Sequence, residues 1–223
     1  MDVVLFGATG MVGQGVLREC LLDPDVARVV AVGRTRTGQN HAKLRDIVPP
    51  DLFDLSSIDR DLTGFDACFF CLGVASAGMS EEAYTHVTYD LAVGAATMLA
   101  QWNPQMTLIY VSGAGADSTE RGKVMWARVR GRTENAILSL RFKGVYVLRP
   151  AGIQPLHGIR SRTRLYRFFY IVLGPLLPLL KRMLPRFMTT TEQIGRAMLR
   201  IAREGATKKI LFTEDINFSR TEH

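Results

Sequence analysis

Three glycines near the start of the chain have the spacing of a phosphate-binding turn. Gly7, Gly10 and Gly13 follow the short apolar run Val3–Phe6 and open a stretch with helical spacing, Met11–Leu22. The first glycine permits a tight turn, the second lets the backbone approach a pyrophosphate, and the third permits close packing of helix on strand. The free N–H groups and the dipole of the helix would face the anion. The spacing therefore predicts a dinucleotide site, and the alternative is a tight turn without a ligand.

The end of the second predicted strand, Val29–Val32, should select between the two nicotinamide dinucleotides. A site specific for NAD usually places Asp or Glu there to accept a hydrogen bond from the ribose 2′-hydroxyl. The sequence instead has two arginines, Arg34 and Arg36, and no carboxylate in this stretch. A 2′-phosphate suits an arginine fork, so Arg34 predicts NADP as the cofactor, with NAD less favoured. The alternative is that both arginines are solvated loop charges.

The elements that must position these residues alternate between strand and helix. Predicted strands are short apolar or β-branched runs, at Val3–Phe6, Val29–Val32, Ala67–Leu72, Thr107–Val111, Val145–Leu148 and Ile210–Phe212, with a weak third strand near Leu52–Asp54. Predicted helices span Met11–Leu22, Glu81–Trp102, Lys123–Leu140 and Glu192–Glu204. This alternation predicts parallel pairing with right-handed crossovers. We therefore expect an α/β, doubly wound parallel sheet of the Rossmann type. It would form a single domain over residues 1–223, with a small irregular C-terminal cap or interface segment at 154–190.

Composition narrows the class of protein. The chain has 223 residues, of which 47% are apolar and 22% charged, so intrinsic disorder is excluded and a sizeable core is expected. Three cysteines cannot build a disulfide framework. Asp2 and a strand-like run follow Met1 directly, so no signal peptide is expected. These features predict a protein of the reducing cytoplasm.

The net charge of +7 is concentrated in one segment. Residues 157–186 carry seven basic side chains and no Asp or Glu, so the rest of the chain is neutral overall. A nucleic-acid binder would show basic stripes elsewhere too, so nucleic acid is not an expected partner. Within this segment Leu165–Leu184 is strongly apolar, but Pro175 and Pro178 interrupt it, which argues against a transmembrane helix. We expect a substrate-pocket wall or a homo-oligomer interface there, or else a peripheral membrane contact.

Four ordered motifs between residues 7 and 153 resemble the atypical short-chain dehydrogenase/reductases. They are GATGMVG at 7–13, FFCLGVASAG at 69–78, YVSGAGA at 110–116 and LRPAGI at 148–153. Within that superfamily the chain is similar to the small NAD(P)H-binding, epimerase-like group that includes the Tat-interacting-protein-type oxidoreductases. The resemblance implies a set of cofactor contacts at the strand ends and the glycine turn: Gly7, Thr9, Gly10, Met11, Val12, Gly13, Arg34, Leu72, Gly73, Arg130 and Ile153.

The same resemblance implies a catalytic group of Ser followed by Tyr-x-x-x-Lys, and this chain departs from it. Ser112 fits the serine position, where it would orient the reacting oxygen. The tyrosine position falls on Trp126 and the lysine position on Arg130. An indole N–H is a donor only and cannot transfer a proton at physiological pH, whereas an arginine can still hold a ribose hydroxyl or a phosphate.

Other residues with chemical potential carry weaker signals. Lys123, Tyr110, Tyr84 and His86 are candidates for a replacement acid, but none has a spacing that singles it out. Cys68 and Cys71 lie three apart on a predicted strand, so they should point to opposite faces and serve as structural cysteines. The four histidines lack metal-ligand spacing, so no metal is expected. The resemblance implies an acidic residue by the adenine near the weak third strand, where Asp54 lies, and the alternative for Asp54 is a surface turn.

Together these features favour an NADP(H)-binding oxidoreductase of the atypical short-chain type. Its substrate would be a small carbonyl compound or an apolar molecule such as a quinone-like ring. The alternative is a protein that binds NADP(H) without turnover, as a redox sensor or regulatory partner, because Trp126 replaces the tyrosine.

Overall fold

The computed structural model describes residues 1–159 and 187–218. Nine strands lie in these ranges: β1 Asp2–Phe6, β2 Arg28–Val32, β3 Leu44–Ile47, β4 Ala67–Phe70, β5 Thr107–Val111, β6 Gly144–Arg149, β7 Gly152–Gln154, β8 Met188–Thr190 and β9 Ile210–Phe212. Seven of them form one sheet in the order β3-β2-β1-β4-β5-β6-β9. All of its neighbouring pairs are parallel. The strand order reverses at β1, as in doubly wound folds, and the predicted fold class is confirmed.

Helices cover both faces of the sheet. They are α1 Met11–Leu22, α2 Glu81–Thr85, α3 Leu91–Trp102, α4 Met125–Leu138, α5 Thr191–Glu204 and α6 Thr213–Asn217. One turn of π-helix, His86–Asp90, joins α2 to α3, so the long helix predicted over Glu81–Trp102 forms with a widened turn inside it. Among the described residues, no helix has the length and apolar character needed to cross a membrane.

The strands are apolar on both sides because each face of the sheet carries a core. One core places Val3, Leu5 and Phe69 against α1 and α5, and the other places Val4, Phe6 and Phe70 against α3. Strands buried on both faces have continuous apolar sequences, so the central strands could be predicted from the sequence. The carboxyl ends of β1, β4 and β5 meet at one edge, where the glycine turn and Ser112 follow them.

The predicted third strand at Leu52–Asp54 is wrong. The strand is Leu44–Ile47, which pairs with β2 at the edge of the sheet. Its sequence, Leu-Arg-Asp-Ile, shows no regular alternation of apolar and polar residues. An edge strand needs only part of its surface buried, so this pattern is not required. Leu52 and Leu55 are buried, but they reach the core from a loop and from the approach to the 3-10 helix Ser56–Leu62.

Strands β7 and β8 form a separate parallel pair beside the main sheet. Gly152 pairs with Met188, and Gln154 pairs with Thr190. These short strands are the described ends of the predicted cap at 154–190. Its remainder, including the basic apolar segment proposed for a pocket wall, a homo-oligomer or a membrane, lies outside the described residues from 160 to 186.

Candidate functional site

The glycine turn is shaped by close backbone contacts. Gly7 has φ of +80°, a conformation that side chains rarely adopt, and a Cβ there would lie 2.8 Å from the backbone of Cys71 and Leu72. A Cβ on Gly13 would come within 2.0 Å of the Gly7 carbonyl oxygen. The Gly10 amide donates to that same oxygen at 2.9 Å. Glycine is therefore required at 7 and 13 by the packing of β1, β4 and α1.

A cavity of about 380 Å³ opens above this turn, at the carboxyl ends of the strands. All the residues predicted to contact the cofactor, except Gly13, line it: Gly7, Thr9, Gly10, Met11, Val12, Arg34, Leu72, Gly73, Arg130 and Ile153. Ser112 lines it as well. Gly13 instead lies where α1 packs against the turn. The structure thus brings together residues that are far apart in the sequence.

A second cavity of about 290 Å³ adjoins the first and shares Gly7, Thr9, Arg34 and Leu72 with it. Its other wall includes Asp46, a carboxylate that the sequence reasoning missed. Asp46 lies on β3, opposite Ala31 of β2, and accepts hydrogen bonds from the Thr37 amide at 3.1 Å and the Thr37 hydroxyl at 2.9 Å. The expectation that no carboxylate lies near Arg34 is therefore wrong, because β3 begins earlier than predicted.

Asp54 does not line this cavity. It is exposed, and hydrogen bonds from Ser56 lower the pKa of its carboxyl. Its surroundings are those of a surface turn.

Ser112 follows the last residue of β5. Its amide donates to the Leu148 carbonyl at 2.8 Å, which fixes the serine beside the end of β6. The residue is only 7% exposed, and its hydroxyl has no hydrogen-bond partner among the described residues. A buried hydroxyl without a partner is costly, so its place in the cavity wall suits a hydroxyl that binds a ligand.

Arg130 reaches the cavity from α4. Its Nε donates to the hydroxyl of Tyr84 at 2.9 Å, and Tyr84 is only 1% exposed. A Cβ on Gly113 would lie 3.3 Å from Nη1, and one on Gly73 would lie 3.9 Å from Nη2. Burial opposes the charge of Arg130, but Tyr110, Tyr84 and Glu134 together raise its pKa, so it stays protonated. The guanidinium therefore spans the loops that follow β4 and β5.

Trp126 stands where the resemblance implies a tyrosine. It lies one turn before Arg130 on α4 but does not line the cavity. A Cβ on Gly115, whose φ is +89°, would lie 3.1 Å from the indole Cη2, so the ring packs against the loop after β5. Trp126 thus has a packing contact in the structure, and its chemistry excludes proton transfer.

Behind these residues, a buried ion pair fixes α4 against β6. Arg149 donates from Nε to both carboxylate oxygens of Glu134, at 3.1 and 3.0 Å, and from Nη2 to the Ser118 hydroxyl at 2.6 Å. Glu134 is fully buried and Arg149 is 8% exposed. Breaking one partner of such a pair is strongly destabilising, so this contact holds the helix that carries Arg130.

The cysteines lie on opposite faces of the sheet, as predicted. Cys68 belongs to the core beneath α3, whereas Cys71 packs with Cys20 on the other side. All three are free thiols, and burial raises the pKa of each above its ordinary value. Within the described ranges, no three His, Cys, Asp or Glu side chains are grouped as metal ligands.

The fold and this site define a Rossmann-type α/β protein. Bordetella bronchiseptica WbmF, solved with NAD+, matches with a TM-score of 0.69 at 14% identity, over 95% of this chain and 72% of that one. A UDP-N-acetylglucosamine 4-epimerase from Methanobrevibacter ruminantium matches with a TM-score of 0.67 at 15% identity, over 94% of this chain and 74% of that one. At such identities the likeness establishes the fold.

Sequence relatives identify the family. The chain is 31% identical to "Protein fmp52, mitochondrial" of Emericella nidulans, over 78% of this chain and 76% of that protein. It is 28% identical to the FMP52 protein of Saccharomyces cerevisiae, over 74% of this chain and 69% of that protein. The chain belongs to the FMP52 family. No family model matches it, and the narrower likeness to Tat-interacting-protein-type oxidoreductases stays a prediction.

The expected cytoplasmic location is contradicted. The FMP52 relatives from Emericella, Aspergillus and Saccharomyces are all named as mitochondrial proteins. The expectation rested on the low cysteine content, which is typical of a reducing compartment. Compartments inside organelles can also be reducing, so a low cysteine content does not distinguish a protein of an organelle from a protein of the cytoplasm.

Proposed function

We propose that this protein is an NADP(H)-dependent oxidoreductase that acts on a small carbonyl or apolar molecule. The observation that carries the proposal is the convergence of the glycine turn, Arg34, Ser112 and Arg130 on two joined cavities. The joined space runs from the end of β2 to the end of β5, at the strand-order reversal where such folds bind dinucleotides. The hydroxyl of Ser112, which has no hydrogen-bond partner within residues 1–159 and 187–218, supports the same placement, because a bound ligand would supply one.

In this proposal each residue has a defined task. The turn from Gly7 to Gly13 holds the pyrophosphate, and Arg34 binds the 2′-phosphate. Leu72, Gly73 and Ile153 line the cofactor. Arg130 holds the ribose, and Ser112 orients the reacting oxygen. When bound, the nicotinamide supplies or accepts the hydride, and the protein supplies position and electrostatics. Trp126 takes no part in proton transfer.

The cofactor assignment is tested by calorimetric titration with NADPH and, separately, with NADH. We expect wild type to bind NADPH more tightly, and Arg34→Ala to weaken NADPH by about 10- to 100-fold, since hydrogen bonds to charged groups contribute about 1.5–3 kcal/mol. Binding of NADH should change little. Arg36→Ala is the matched control, because Arg36 is exposed and lines neither cavity.

Each outcome has a distinct meaning. Equal affinity of wild type for NADPH and NADH would contradict the NADP assignment and leave dinucleotide binding intact. Failure of a folded sample to bind either nucleotide would contradict the proposed function.

A second candidate function is NADP(H) binding without turnover, as a redox sensor or regulatory protein. It is favoured by Trp126, which packs on the loop at Gly115 and cannot act as an acid. Reductase activity of Trp126→Tyr, measured beside wild type and Trp126→Phe over a panel of small carbonyl compounds, separates the candidates. Turnover by wild type that survives in Trp126→Phe would support the oxidoreductase. Turnover that appears only in Trp126→Tyr would support the non-catalytic protein.

A further inference from the structure

The loop that follows β2 is tied to β3 at two points, one on each side of Arg34. Before Arg34, the amide of Gly33 donates to the carbonyl of Ile47 at 3.2 Å. After it, Thr37 donates twice to Asp46, from its amide to Oδ1 at 3.1 Å and from its hydroxyl to Oδ2 at 2.9 Å. We call this pair of bonds the Thr37–Asp46 clasp. The loop is therefore closed at both ends against a strand of the main sheet.

Asp46 is a fixed anchor for the clasp because it belongs to that strand. It lies opposite Ala31 in the register of β3 on β2. Asp46 and Thr37 are both half-buried, and hydrogen bonds to a carboxylate are stronger than those between neutral groups. Each carboxylate oxygen accepts from Thr37, so the charge of Asp46 is directed at the loop.

Arg34, by contrast, has no anchor for its side chain. It is exposed, and its guanidinium forms no hydrogen bond or ion pair within the described part of the chain. A long side chain without a partner samples many rotamers, so the region its guanidinium can reach is set by its backbone. Arg34, Thr37 and Asp46 all line the smaller cavity. The clasp thus lies in the wall where the backbone of Arg34 must be held.

We infer that Thr37 and Asp46 are positioning residues for the preference for NADP. By closing the loop, they hold Arg34 where its guanidinium can reach a 2′-phosphate in the smaller cavity. This inference rests on the proposed function for the task of Arg34, and it adds two residues that determine the choice of cofactor. A loop that is already closed loses less freedom on binding, which raises the affinity for the phosphate. NADH has no 2′-phosphate, so the clasp should matter little for its binding.

The test is calorimetric titration of Thr37→Val with NADPH and, separately, with NADH. Valine has nearly the shape of threonine but cannot donate to Oδ2 of Asp46. We expect the affinity for NADPH to fall by about three- to tenfold, the range for loss of one hydrogen bond, and the affinity for NADH to stay the same. Thr37→Ser keeps a hydroxyl and should bind NADPH like wild type.

Two controls separate positioning of the arginine from a general structural effect. In the background of Arg34→Ala, Thr37→Val should cause no further loss of NADPH affinity, because the side chain that the clasp positions is gone. Thr119→Val is the matched control. Thr119 also donates its amide and its hydroxyl to an aspartate, Asp117, but it lines neither cavity, so this variant should bind NADPH like wild type.

Limited proteolysis measures the loop without any cofactor. Trypsin cleaves after arginine, so the rate of cleavage after Arg34 and Arg36 reports how often the loop opens. We expect Thr37→Val to be cleaved there about threefold faster than wild type, or more, because one bond of the clasp is lost. Equal rates of cleavage would overturn the inference, since the clasp would then not hold the loop.

The outcomes separate this inference from the proposed function. If Arg34→Ala weakens NADPH but Thr37→Val does not, the inference is overturned and the cofactor assignment stands. The same holds if Thr37→Val weakens NADPH and NADH equally, or weakens NADPH as much without Arg34 as with it. If Arg34→Ala leaves NADPH binding unchanged, the cofactor assignment fails and the inference fails with it. Circular dichroism checks the fold of each variant, and Thr37→Ala replaces Thr37→Val if the latter does not fold.

Discussion

Tyr84 lies almost fully out of solvent with its hydroxyl against the guanidinium of Arg130. The sequence offered this tyrosine only as one of several candidate acids. The structure gives it a definite contact, across 46 residues of chain and between α2 and α4. Its position behind Arg130, outside the cavity lining, is that of a residue that orients the arginine.

Removal of the Tyr84 hydroxyl should weaken the fold measurably. We expect Tyr84→Phe to lower the free energy of unfolding by about 1–2 kcal/mol, because a charge-assisted hydrogen bond is lost while a buried donor remains. Urea unfolding measures the change. Tyr146→Phe is the control, since the Tyr146 hydroxyl has no hydrogen-bond partner among the described residues and its removal should cost little. Equal losses for both variants would show that the Tyr84 contact adds no stability of its own.

Tyr110 is a poor proton donor or acceptor despite its place on β5. Burial raises the pKa of its hydroxyl, with Arg130 opposing the shift, so the phenol stays neutral well above physiological pH. A group whose pKa is raised in the folded state stabilises the fold below its unfolded pKa, near 10, and loses this contribution as the pH rises.

The corresponding prediction concerns alkaline unfolding. Between pH 8 and pH 11, wild type should lose more stability than Tyr110→Phe, which has no phenol to ionise on unfolding. Urea unfolding of both proteins at the two pH values measures the difference. Identical losses would mean that Tyr110 ionises as readily in the folded protein as in the unfolded chain.

At the scale of elements, the glycine turn links the proposed cofactor site to the packing of α1 on β1. The space for a side chain at Gly13 is filled by the Gly7 carbonyl, so the turn cannot widen without moving the helix. By contrast, a Cβ at Gly94 in the interior of α3 would meet no atom within 4 Å.

These two glycines give opposite predictions for the same substitution. Gly13→Ala should destabilise the protein by roughly 2 kcal/mol or more and weaken dinucleotide binding, since overpacking forces the backbone to shift. Gly94→Ala should stabilise it by roughly 0.5–1 kcal/mol, the helix-propensity difference. Thermal unfolding and NADPH titration measure both effects. A Gly13→Ala variant as stable as wild type would contradict the tight packing of the turn.

Sequence patterns predicted the elements that have apolar faces and missed those that do not. The central strands and α1, α4 and α5 were predictable because burial on one or both sides imposes a regular pattern. The edge strand Leu44–Ile47 was missed because its sequence is mostly polar, and Asp46 was missed with it. The Arg130–Tyr84 contact was not predictable, since no local pattern encodes a hydrogen bond between distant helices.

At the scale of the whole molecule, the strand order explains why residues so distant in sequence form one site. The sheet order places β1 between β2 and β4. The glycine turn, Arg34 and Leu72 follow the carboxyl ends of these strands and therefore lie at the same edge of the sheet. The sequence predicted the parallel sheet whose strand ends meet at this edge. A fold of this kind supports many activities, so the proposed function depends on individual side chains such as Trp126 and Arg130.

The parallel pair β7–β8 holds the chain together at the two borders of residues 160–186. Beyond the second border, β8, α5 and β9 rejoin the first part of the chain: α5 buries Ile194, Met198 and Ile201 against the core around α1, and β9 extends the main sheet from β6. Residues 187–218 are thus joined to residues 1–159 by non-covalent contacts as well as through the chain. Two separately expressed pieces, residues 1–159 and 187–223, should assemble and purify as one complex, which would make this protein a two-part reconstitution system.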